Sequence, residues 1–269
     1  MSVAEALDAA ASQLRAAGVR QAALDAELLL RHVLGWDRAS VLANRGDALP
    51  GDAEARFLSL VAARARRRPL QHLTGTQAFW RHQFTVGPAV LIPRPETEVL
   101  VETALEALRS CPAPRVIDVG TGSGCIALSL AGERPDARIV ATDLSADALA
   151  VARSNAARLG LGAAVHFLRG DLLDAFAGRT PAVDLVVSNP PYVEDSDWAG
   201  LEPEVRDHDP RSALVPEEGV PALYARLLKG AARVLRPGGT VAVEVGAGQS
   251  ATVAALAAEA GFSPVRTVR

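Results

Sequence analysis

Residues 183–192 read Val-Asp-Leu-Val-Val-Ser-Asn-Pro-Pro-Tyr, an apolar run that ends in an amide, two prolines and an aromatic ring. A short run rich in Val and Leu is typical of a buried strand in a parallel sheet. Proline has no N–H for the hydrogen-bond ladder, so Pro190 and Pro191 force the chain out of the sheet rigidly. Open α/β sheets bind ligands at the carboxyl ends of their strands, and we therefore expect a binding site at Asn189 to Tyr192.

Strand and helix patterns alternate around this stretch, from residue 115 to the end of the sequence. The predicted strands cover residues 116–119, 138–142, 165–168, 183–188 and 240–245, and helical patterns separate them. This alternation predicts an α/β fold with a doubly wound sheet. We assign residues 93–269 to this domain.

The front of the sequence has a different character. Apolar residues recur at helical spacing over residues 1–72, which predicts a small all-helical domain. Aromatic and β-branched residues with turn signals over 73–92 predict a β-hairpin linker. A basic run at 64–68 ends a helix, and we interpret it as solvated charge at a helix C-terminus, with contact to a polyanion as the alternative.

Composition narrows the class of protein. Hydrophobic residues make up 49% of the 269 residues, enough for a sizeable core, and the net charge of −3 argues against a protein that mainly clamps nucleic acid. Cys111 and Cys125 lack metal-site spacing, so we expect no metal and a reducing compartment. With no long apolar run and no leader pattern at the N-terminus, we expect a cytoplasmic protein that does not bind membranes.

A glycine-rich loop follows the first predicted strand. It reads Asp118-Val119-Gly120-Thr121-Gly122-Ser123-Gly124, and glycines at alternate positions let the backbone approach a ligand closely. The next helix N-terminus favours hydrogen-bond acceptors. Asp143 closes the second strand, where an acidic residue commonly accepts from ribose hydroxyls. These features predict a cofactor that contains a nucleoside.

The loop spacing distinguishes between cofactors. A dinucleotide fingerprint has its third glycine one residue later than Gly124. Asp118 also places a carboxylate beside the loop, which suits a ligand that carries an amino group and a cation better than a pyrophosphate. S-adenosylmethionine has both groups and no phosphate. Asp171, after the third strand, fits a contact to the adenine edge with Leu172 beside it, and a helix cap is the alternative for Asp171.

The proline motif suits methyl transfer to a planar –NH2 group. An amide or aniline-like nitrogen is a poor nucleophile, because its lone pair is delocalised. The Asn189 side-chain oxygen and the Pro190 carbonyl can each accept one of its hydrogens and stabilise the developing positive charge. Tyr192 can stack on the substrate plane and exclude water. We predict Asn189, Pro190 and Tyr192 as catalytic residues, with Pro191 completing the substrate contacts.

The motif and the glycine loop resemble those of class I S-adenosylmethionine-dependent methyltransferases. Three stretches narrow the resemblance: residues 68–75 (Arg-Pro-Leu-Gln-His-Leu-Thr-Gly), Phe79-Trp80, and residues 91–98 (Leu-Ile-Pro-Arg-Pro-Glu-Thr-Glu). With these, the chain is similar to the peptide chain release factor glutamine methyltransferases, the HemK/PrmC family. The resemblance implies a Rossmann-like methyltransferase sheet that acts on the glutamine side-chain amide in the Gly-Gly-Gln motif of release factors.

The resemblance also implies roles for particular residues. Cofactor contacts fall on residues 120–124, Asp143, Leu172 and Asn189, and Arg94 lines the substrate site. The alternative for Arg94 is an ion pair with a nearby glutamate. Members of the family continue into a last strand, so we expect the closing antiparallel strand to lie outside residues 1–269. We expect a monomer that binds a release factor and makes no direct contact with nucleic acid.

Three alternative functions would use parts of the same sequence pattern, and a feature of the sequence counts against each. An adenine N6 methyltransferase would use the same motif but would need a basic face and a way to flip the base. A nicotinamide-dependent oxidoreductase is opposed by the glycine spacing. A cofactor-binding module without catalysis has no need for the amide of Asn189.

Overall fold

The computed structural model describes residues 1–178 and 182–268, and the chain divides into two compact units. The first unit comprises Met1–Gly75 and Glu202–His208, and the second comprises Thr76–Leu201 and Asp209–Arg269. The first unit therefore extends past the boundary expected at residue 72 and takes up a segment from far along the chain.

Eleven α-helices and seven strands are assigned within the described residues. The helices are α1 (Val3–Ala16), α2 (Ala22–Leu34), α3 (Arg38–Ala43), α4 (Gly51–Ala65), α5 (Leu70–Thr74), α6 (Glu98–Ala107), α7 (Cys125–Glu133), α8 (Ala146–Arg158), α9 (Pro203–Arg206), α10 (Val220–Val234) and α11 (Ser250–Glu259). The strands are β1 (Thr76–Phe79), β2 (His82–Thr85), β3 (Arg115–Val119), β4 (Arg138–Asp143), β5 (Val165–Arg169), β6 (Val183–Ser188) and β7 (Leu235–Val243). Short 3₁₀ helices cover Pro95–Thr97, Asp174–Phe176, Asp195–Gly200 and Arg211–Ala213.

The first unit is helical, as the apolar spacing predicts. A capping box starts α1: Ser2 Oγ accepts from the Glu5 amide at 3.2 Å, and the Glu5 carboxylate accepts from the Ser2 amide at 2.8 Å. The apolar faces of α1, α2 and α4 meet in one core, in which Leu14, Leu29 and Phe57 have no measurable exposure. The short helices α3 and α5 were not predicted, because each is too short to show a clear period.

Arg64 and Arg67 bind acidic side chains of the same unit. Arg64 Nε donates to Asp25 Oδ2 at 2.7 Å, and Arg64 Nη2 lies 2.9 Å from Glu204 Oε1. Arg67 donates to both carboxylate oxygens of Glu204, at 2.8 and 2.6 Å. The interpretation of the basic run as solvated charge is therefore wrong for these two arginines. Their partner Glu204 comes from the distant segment Glu202–His208, which sequence proximity does not reveal.

The second unit contains a hairpin and a parallel sheet. Strands β1 and β2 pair antiparallel, so a hairpin lies within residues 73–92 as predicted, although it belongs to the second unit instead of standing apart as a linker. The sheet has the order β5-β4-β3-β6-β7, and all four of its strand pairs are parallel. The predicted α/β class, with a doubly wound sheet and a helical N-terminal domain, is confirmed.

The strand order creates one point of reversal. From β3 the chain moves outward through β4 to β5, and it then returns to the other side of β3 with β6. A crevice forms at the carboxyl ends of strands where the order reverses in this way. Val119 pairs with Ser188 in register, so the loop after β3 and the chain after β6 leave the sheet side by side. The two motifs singled out in the sequence thus meet at the switch point.

Strand β7 differs from its prediction. The Pro237-Gly238-Gly239 sequence predicts a turn before the strand, but the strand assignment runs through it from Leu235, with a register shift opposite Val183 and Leu185. A Cβ on Gly239 would lie 3.1 Å from the Val183 carbonyl oxygen, so glycine permits the close approach.

No helix of the described residues has the length and apolar character needed to cross a membrane.

Candidate active site

The glycine loop after β3 depends on left-handed backbone conformations. Gly120, Gly122 and Gly124 have φ values of 72°, 56° and 83°. At Gly124, a Cβ would lie 3.0 Å from Leu128 Cδ1 and 3.3 Å from Ala152 Cβ, so α8 packs directly against the loop. A side chain at Gly124 would therefore be strained in conformation and crowded in space. By contrast, nothing lies within 4 Å of a Cβ placed on Gly120 or Gly122.

Asp118 supports this loop from beneath. The residue has no exposed surface, and its Oδ2 accepts from the Thr121 hydroxyl at 2.6 Å and from the Ala127 amide at 3.2 Å. Burial raises the pKa of Asp118 to about 7. We expected this carboxylate to face a ligand directly. The structure instead places it inside the unit, where it organises the turn and the start of α7.

Asp143 lies where the sequence places it, at the end of β4 and beside the loop. Its Oδ2 accepts from the Gly122 amide and its Oδ1 from the Ser145 amide, both at 2.9 Å. Burial raises its pKa. The next residue, Leu144, has 63% of its surface exposed, which is unusual for a large apolar side chain beside a polar loop. Leu144 is a candidate ligand contact that the sequence analysis missed.

Thr121 and Ser123 also hold the loop through backbone hydrogen bonds. The Thr121 amide donates to the Thr142 carbonyl at 2.9 Å, and the Ser123 carbonyl accepts from Asn155 Nδ2 at 2.9 Å. Asn155 has no exposed surface and also exchanges two hydrogen bonds with the Thr85 backbone, at 2.7 and 3.0 Å. It therefore joins the loop to the hairpin. The signal that could have revealed it is a polar residue on the apolar face of α8.

Asp171 and Leu172 follow β5 at the same edge of the sheet. The Asp171 carboxylate accepts from Arg226 at 2.7 Å and is therefore committed to an ion pair at the surface. Neither an adenine contact nor a helix cap is needed to explain this side chain, and the adenine contact stays a prediction. Leu172 has a φ of 46°, which is strained for a residue with a side chain. Backbone strain of this kind clusters at ligand sites, and the cofactor contact of Leu172 stays a prediction.

Asn189 leaves β6 with its two amide atoms in different environments. Its Nδ2 donates to Thr97 Oγ1 at 3.1 Å. Its Oδ1 is buried and has no hydrogen-bond partner among the described residues. An unsatisfied buried acceptor costs about 1–3 kcal/mol, which a donor from a bound molecule would recover. The predicted acceptor for a substrate N–H is thus available, and Pro190, also buried, follows it in the chain.

Tyr192 is held by its backbone and by the apolar cluster around Tyr224. The Tyr192 carbonyl accepts from Gln249 Nε2 at 2.8 Å, and the ring packs against a cluster that includes Val220 and Tyr224. Burial, together with the charge of Glu244, raises the pKa of Tyr192. Its hydroxyl is therefore un-ionised at neutral pH, and the ring presents an uncharged surface.

Glu244 and Arg94 lie near this motif. Glu244 neighbours the side chains of Thr97, Tyr192 and Asn189, and burial raises its pKa although hydrogen bonding to these side chains opposes the rise. Arg94 donates to Asp209 Oδ2 at 2.8 Å, so its partner is not the nearby glutamate considered in the sequence analysis. Burial raises the pKa of Asp209 to about 6 against the effect of Arg94. The charge of Arg94 acts on Tyr192, which agrees with a position beside the motif.

Two protein-family models match the chain, one in its helical N-terminal region and one in the region that contains the parallel sheet. Residues 5–75 match the PrmC N-terminal domain, and residues 95–201 match the methyltransferase small domain. The release factor glutamine methyltransferase of Cereibacter sphaeroides is 46% identical over 266 residues, covering 98% of this chain and 93% of the relative. The enzyme of the same name from Nitratidesulfovibrio vulgaris is 44% identical over 260 residues, covering 96% and 85%.

The chain belongs to the release factor glutamine methyltransferase family. The predicted family, the methyltransferase class and S-adenosylmethionine as cofactor are thereby confirmed. Among solved structures, ribosomal protein L11 methylase from Lactobacillus delbrueckii subsp. bulgaricus is similar with a TM-score of 0.48 and 22% identity, over 68% of this chain and 77% of that one. Adenine N6 methylation and nicotinamide-dependent oxidation are not favoured by these relatives.

Proposed function

We propose that this chain transfers a methyl group from S-adenosylmethionine to the side-chain nitrogen of the glutamine in the Gly-Gly-Gln motif of peptide chain release factors. The buried, unpartnered Oδ1 of Asn189 is the observation that carries the proposal. It is an acceptor at the switch point of the sheet, and a primary amide is the kind of group that offers it a hydrogen. The family membership supplies the class of substrate.

The residues around the glycine loop fit the cofactor. The carboxylate of Asp143 at the loop makes it unfavourable for a pyrophosphate and compatible with a ligand that carries positive charge. Gly120 and Gly122 leave open space above the loop. In this proposal Asp143 accepts from the ribose hydroxyls with its remaining lone pairs, while Leu172 and the exposed Leu144 contact the adenine.

S-adenosylmethionine, when bound, supplies an electrophilic methyl group for an in-line displacement. The chain's own residues prepare the nucleophile. Asn189 Oδ1 accepts one N–H of the glutamine amide and the Pro190 carbonyl accepts the other, which draws the nitrogen toward tetrahedral geometry. The new N–C bond forms as the S–C bond breaks, and the nitrogen then releases one proton to solvent. Positioning of this kind supplies up to about 7–11 kcal/mol of barrier reduction in favourable cases.

The remaining motif residues shape the substrate site. Pro191 keeps the exit from the sheet rigid. Tyr192 stacks on the amide plane and excludes water, and its raised pKa keeps it neutral. Arg94, held by Asp209, borders the entrance. Because the Asp209 side chain is only 1% exposed, this ion pair also fixes the position of the Arg94 side chain.

Mass spectrometry tests the proposal directly. A release factor is incubated with the chain and S-adenosylmethionine, beside a copy whose Gly-Gly-Gln glutamine is changed to alanine and beside a single-stranded oligonucleotide that contains adenine. We expect one added methyl group on the intact release factor alone. Methylation of the altered release factor would contradict the glutamine assignment, and methylation of the oligonucleotide would favour the adenine alternative.

We also expect a monomeric, cytoplasmic enzyme. Analytical ultracentrifugation at micromolar concentration tests the monomeric state, since a dimer would have twice the monomer mass of 28.1 kDa. Fractionation of the source cells tests the second.

A further inference from the structure

Thr97 is buried behind the proline motif, on the short 3₁₀ helix Pro95–Thr97 that precedes α6. It is only 2% exposed, and its Oγ1 accepts the hydrogen bond from Asn189 Nδ2 at 3.1 Å. A threonine buried to this degree at a turn needs a partner for each side of its hydroxyl.

The orientation of the Asn189 amide decides whether the site can work. A carboxamide has nearly the same shape when its oxygen and nitrogen are exchanged, so packing alone does not distinguish the two orientations. With Oδ1 toward the substrate, Asn189 accepts a hydrogen from the glutamine amide. With Nδ2 toward the substrate, two N–H groups face each other and the site repels the substrate. A group beside Asn189 must therefore be able to hydrogen-bond to the nitrogen of its side chain but not to the oxygen.

Glu244 provides that distinction through Thr97. It follows β7, its backbone amide donates to the Ser188 carbonyl at 3.0 Å, and its own carbonyl accepts from the Tyr224 hydroxyl at 2.7 Å. The Glu244 carboxylate thus lies beside both Thr97 and Asn189, and its Oε2 is buried without a hydrogen-bond partner among the described residues. A carboxylate placed beside Thr97 can accept the single hydrogen of the Thr97 hydroxyl. Oγ1 of Thr97 can then only accept, which requires the –NH2 side of Asn189.

We infer that Thr97, with Glu244 behind it, is a positioning residue that holds the Asn189 amide with Oδ1 toward the substrate. The relay runs from the Glu244 carboxylate through the Thr97 hydroxyl to Asn189 Nδ2. The inference rests on the proposed function, because it concerns the orientation of the residue that is proposed to bind the substrate amide. It assigns no contact with the substrate to Thr97. It predicts that losing the Thr97 hydroxyl lowers turnover while leaving the binding of cofactor and release factor in place.

The test compares three variants by steady-state methylation of a release factor, followed by mass spectrometry. Thr97→Val keeps the shape and removes the hydroxyl, and we expect kcat to fall about 10- to 100-fold. Thr97→Ser restores the hydroxyl, and we expect kcat within about threefold of wild type. KM for the release factor and the affinity for S-adenosylhomocysteine should change by less than about threefold in both. The control is Thr103→Val on α6, whose hydroxyl donates to the Val99 carbonyl of the same helix, and which should keep its kcat.

Several results would overturn the inference. A wild-type kcat in Thr97→Val would do so, and so would a Thr97→Ser variant as slow as Thr97→Val. If Thr97→Val does not fold, nuclear Overhauser contacts in the wild-type chain decide the point. The Asn189 side-chain amide hydrogens should then show contacts to the Thr97 side chain, and their absence contradicts the proposed orientation.

Glu244→Gln tests the part of the relay in which Glu244 sets the direction of the Thr97 hydroxyl. Glutamine can donate as well as accept, so it no longer fixes the direction of the Thr97 hydroxyl. We expect a kcat between those of the serine and valine variants, and a wild-type kcat would remove Glu244 from the relay. If the wild-type chain fails to methylate the glutamine at all, the proposed function fails, whereas normal methylation by wild type and Thr97→Val alike leaves that function standing and removes only the role of Thr97.

Discussion

Ser188 donates a hydrogen bond through its hydroxyl to the Val119 carbonyl at 2.7 Å, and this contact joins the last residues of β6 and β3. Both residues are buried and face each other in register. The next residue on one strand is Gly120, and on the other it is Asn189. This contact, together with the pairing of β3 and β6, therefore holds the glycine loop beside the amide that is proposed to bind the substrate.

Asn189→Ala should abolish nearly all methylation while cofactor affinity stays close to wild type. The change removes the acceptor Oδ1 and the hydrogen bond to Thr97, and it leaves the residues of the glycine loop themselves unchanged. Loss of one such preorganised group costs about 10²–10³ in kcat. Single-turnover mass spectrometry measures the rate, and calorimetry with S-adenosylhomocysteine measures the binding. Turnover at the wild-type rate would refute the acceptor role of Asn189.

Asp143→Ala should weaken binding of S-adenosylhomocysteine by about 1–3 kcal/mol, because it removes a hydrogen-bonded carboxylate from a partly buried site. It also releases the amides of Gly122 and Ser145, so the melting temperature is recorded for each variant. The control is Asp147→Ala, which removes an exposed carboxylate on α8 of the same unit. Equal calorimetric affinities for the two variants would remove Asp143 from the cofactor site.

Arg64→Ala should destabilise the first unit by about 3–5 kcal/mol, because it removes the buried guanidinium that contacts both Asp25 and Glu204. Arg66→Ala is the matched control, because Arg66 is exposed and lies two positions along the same basic run. The control should change the free energy of unfolding by less than about 0.5 kcal/mol. Urea unfolding monitored by circular dichroism gives the free energy of unfolding of both variants. Equal effects would show that the contacts of Arg64 with Asp25 and Glu204 do not stabilise the unit.

Asp118 should make stability depend on pH in an unusual direction. Its pKa rises from 3.8 to about 7 on folding because it is buried, so between these values the folded chain keeps a proton that the unfolded chain has lost. Stability from this group is therefore fully present at low pH, falls as pH rises through the window by up to about 1.4 kcal/mol per pH unit, and is constant above it.

Asp118→Asn tests this dependence, because asparagine cannot ionise and still offers an oxygen to the Thr121 hydroxyl. We expect the variant to lose the decline in stability between pH 4 and 7 that Asp118 causes. Urea unfolding at several pH values measures both chains, with the exposed Asp147→Asn as a control that follows wild type. Parallel curves for wild type and Asp118→Asn would contradict the raised pKa.

Much of the site could be predicted because it follows from local chemistry. The prolines after β6 must end a strand, and the glycines after β3 permit backbone conformations that other residues resist. Parallel strands place their carboxyl ends at one edge, so the sequence order of these motifs already implied a shared site. The burial of Asp118 beneath the loop could not be predicted, because sequence does not show which face of a strand end is buried.

Contacts between distant segments required the tertiary structure. Arg64 meets Glu204, Arg94 meets Asp209 and Asn189 meets Thr97 across long separations in the chain, and no local period or motif marks these pairs. The sequence by itself determined the α/β class and the positions of the glycine loop and the proline motif at strand ends, because each depends on the backbone preferences of adjacent residues. Which charges are neutralised, and which atom of the Asn189 amide is left without a hydrogen-bond partner among the described residues, was decided only when folding removed these groups from water and set them beside particular neighbours.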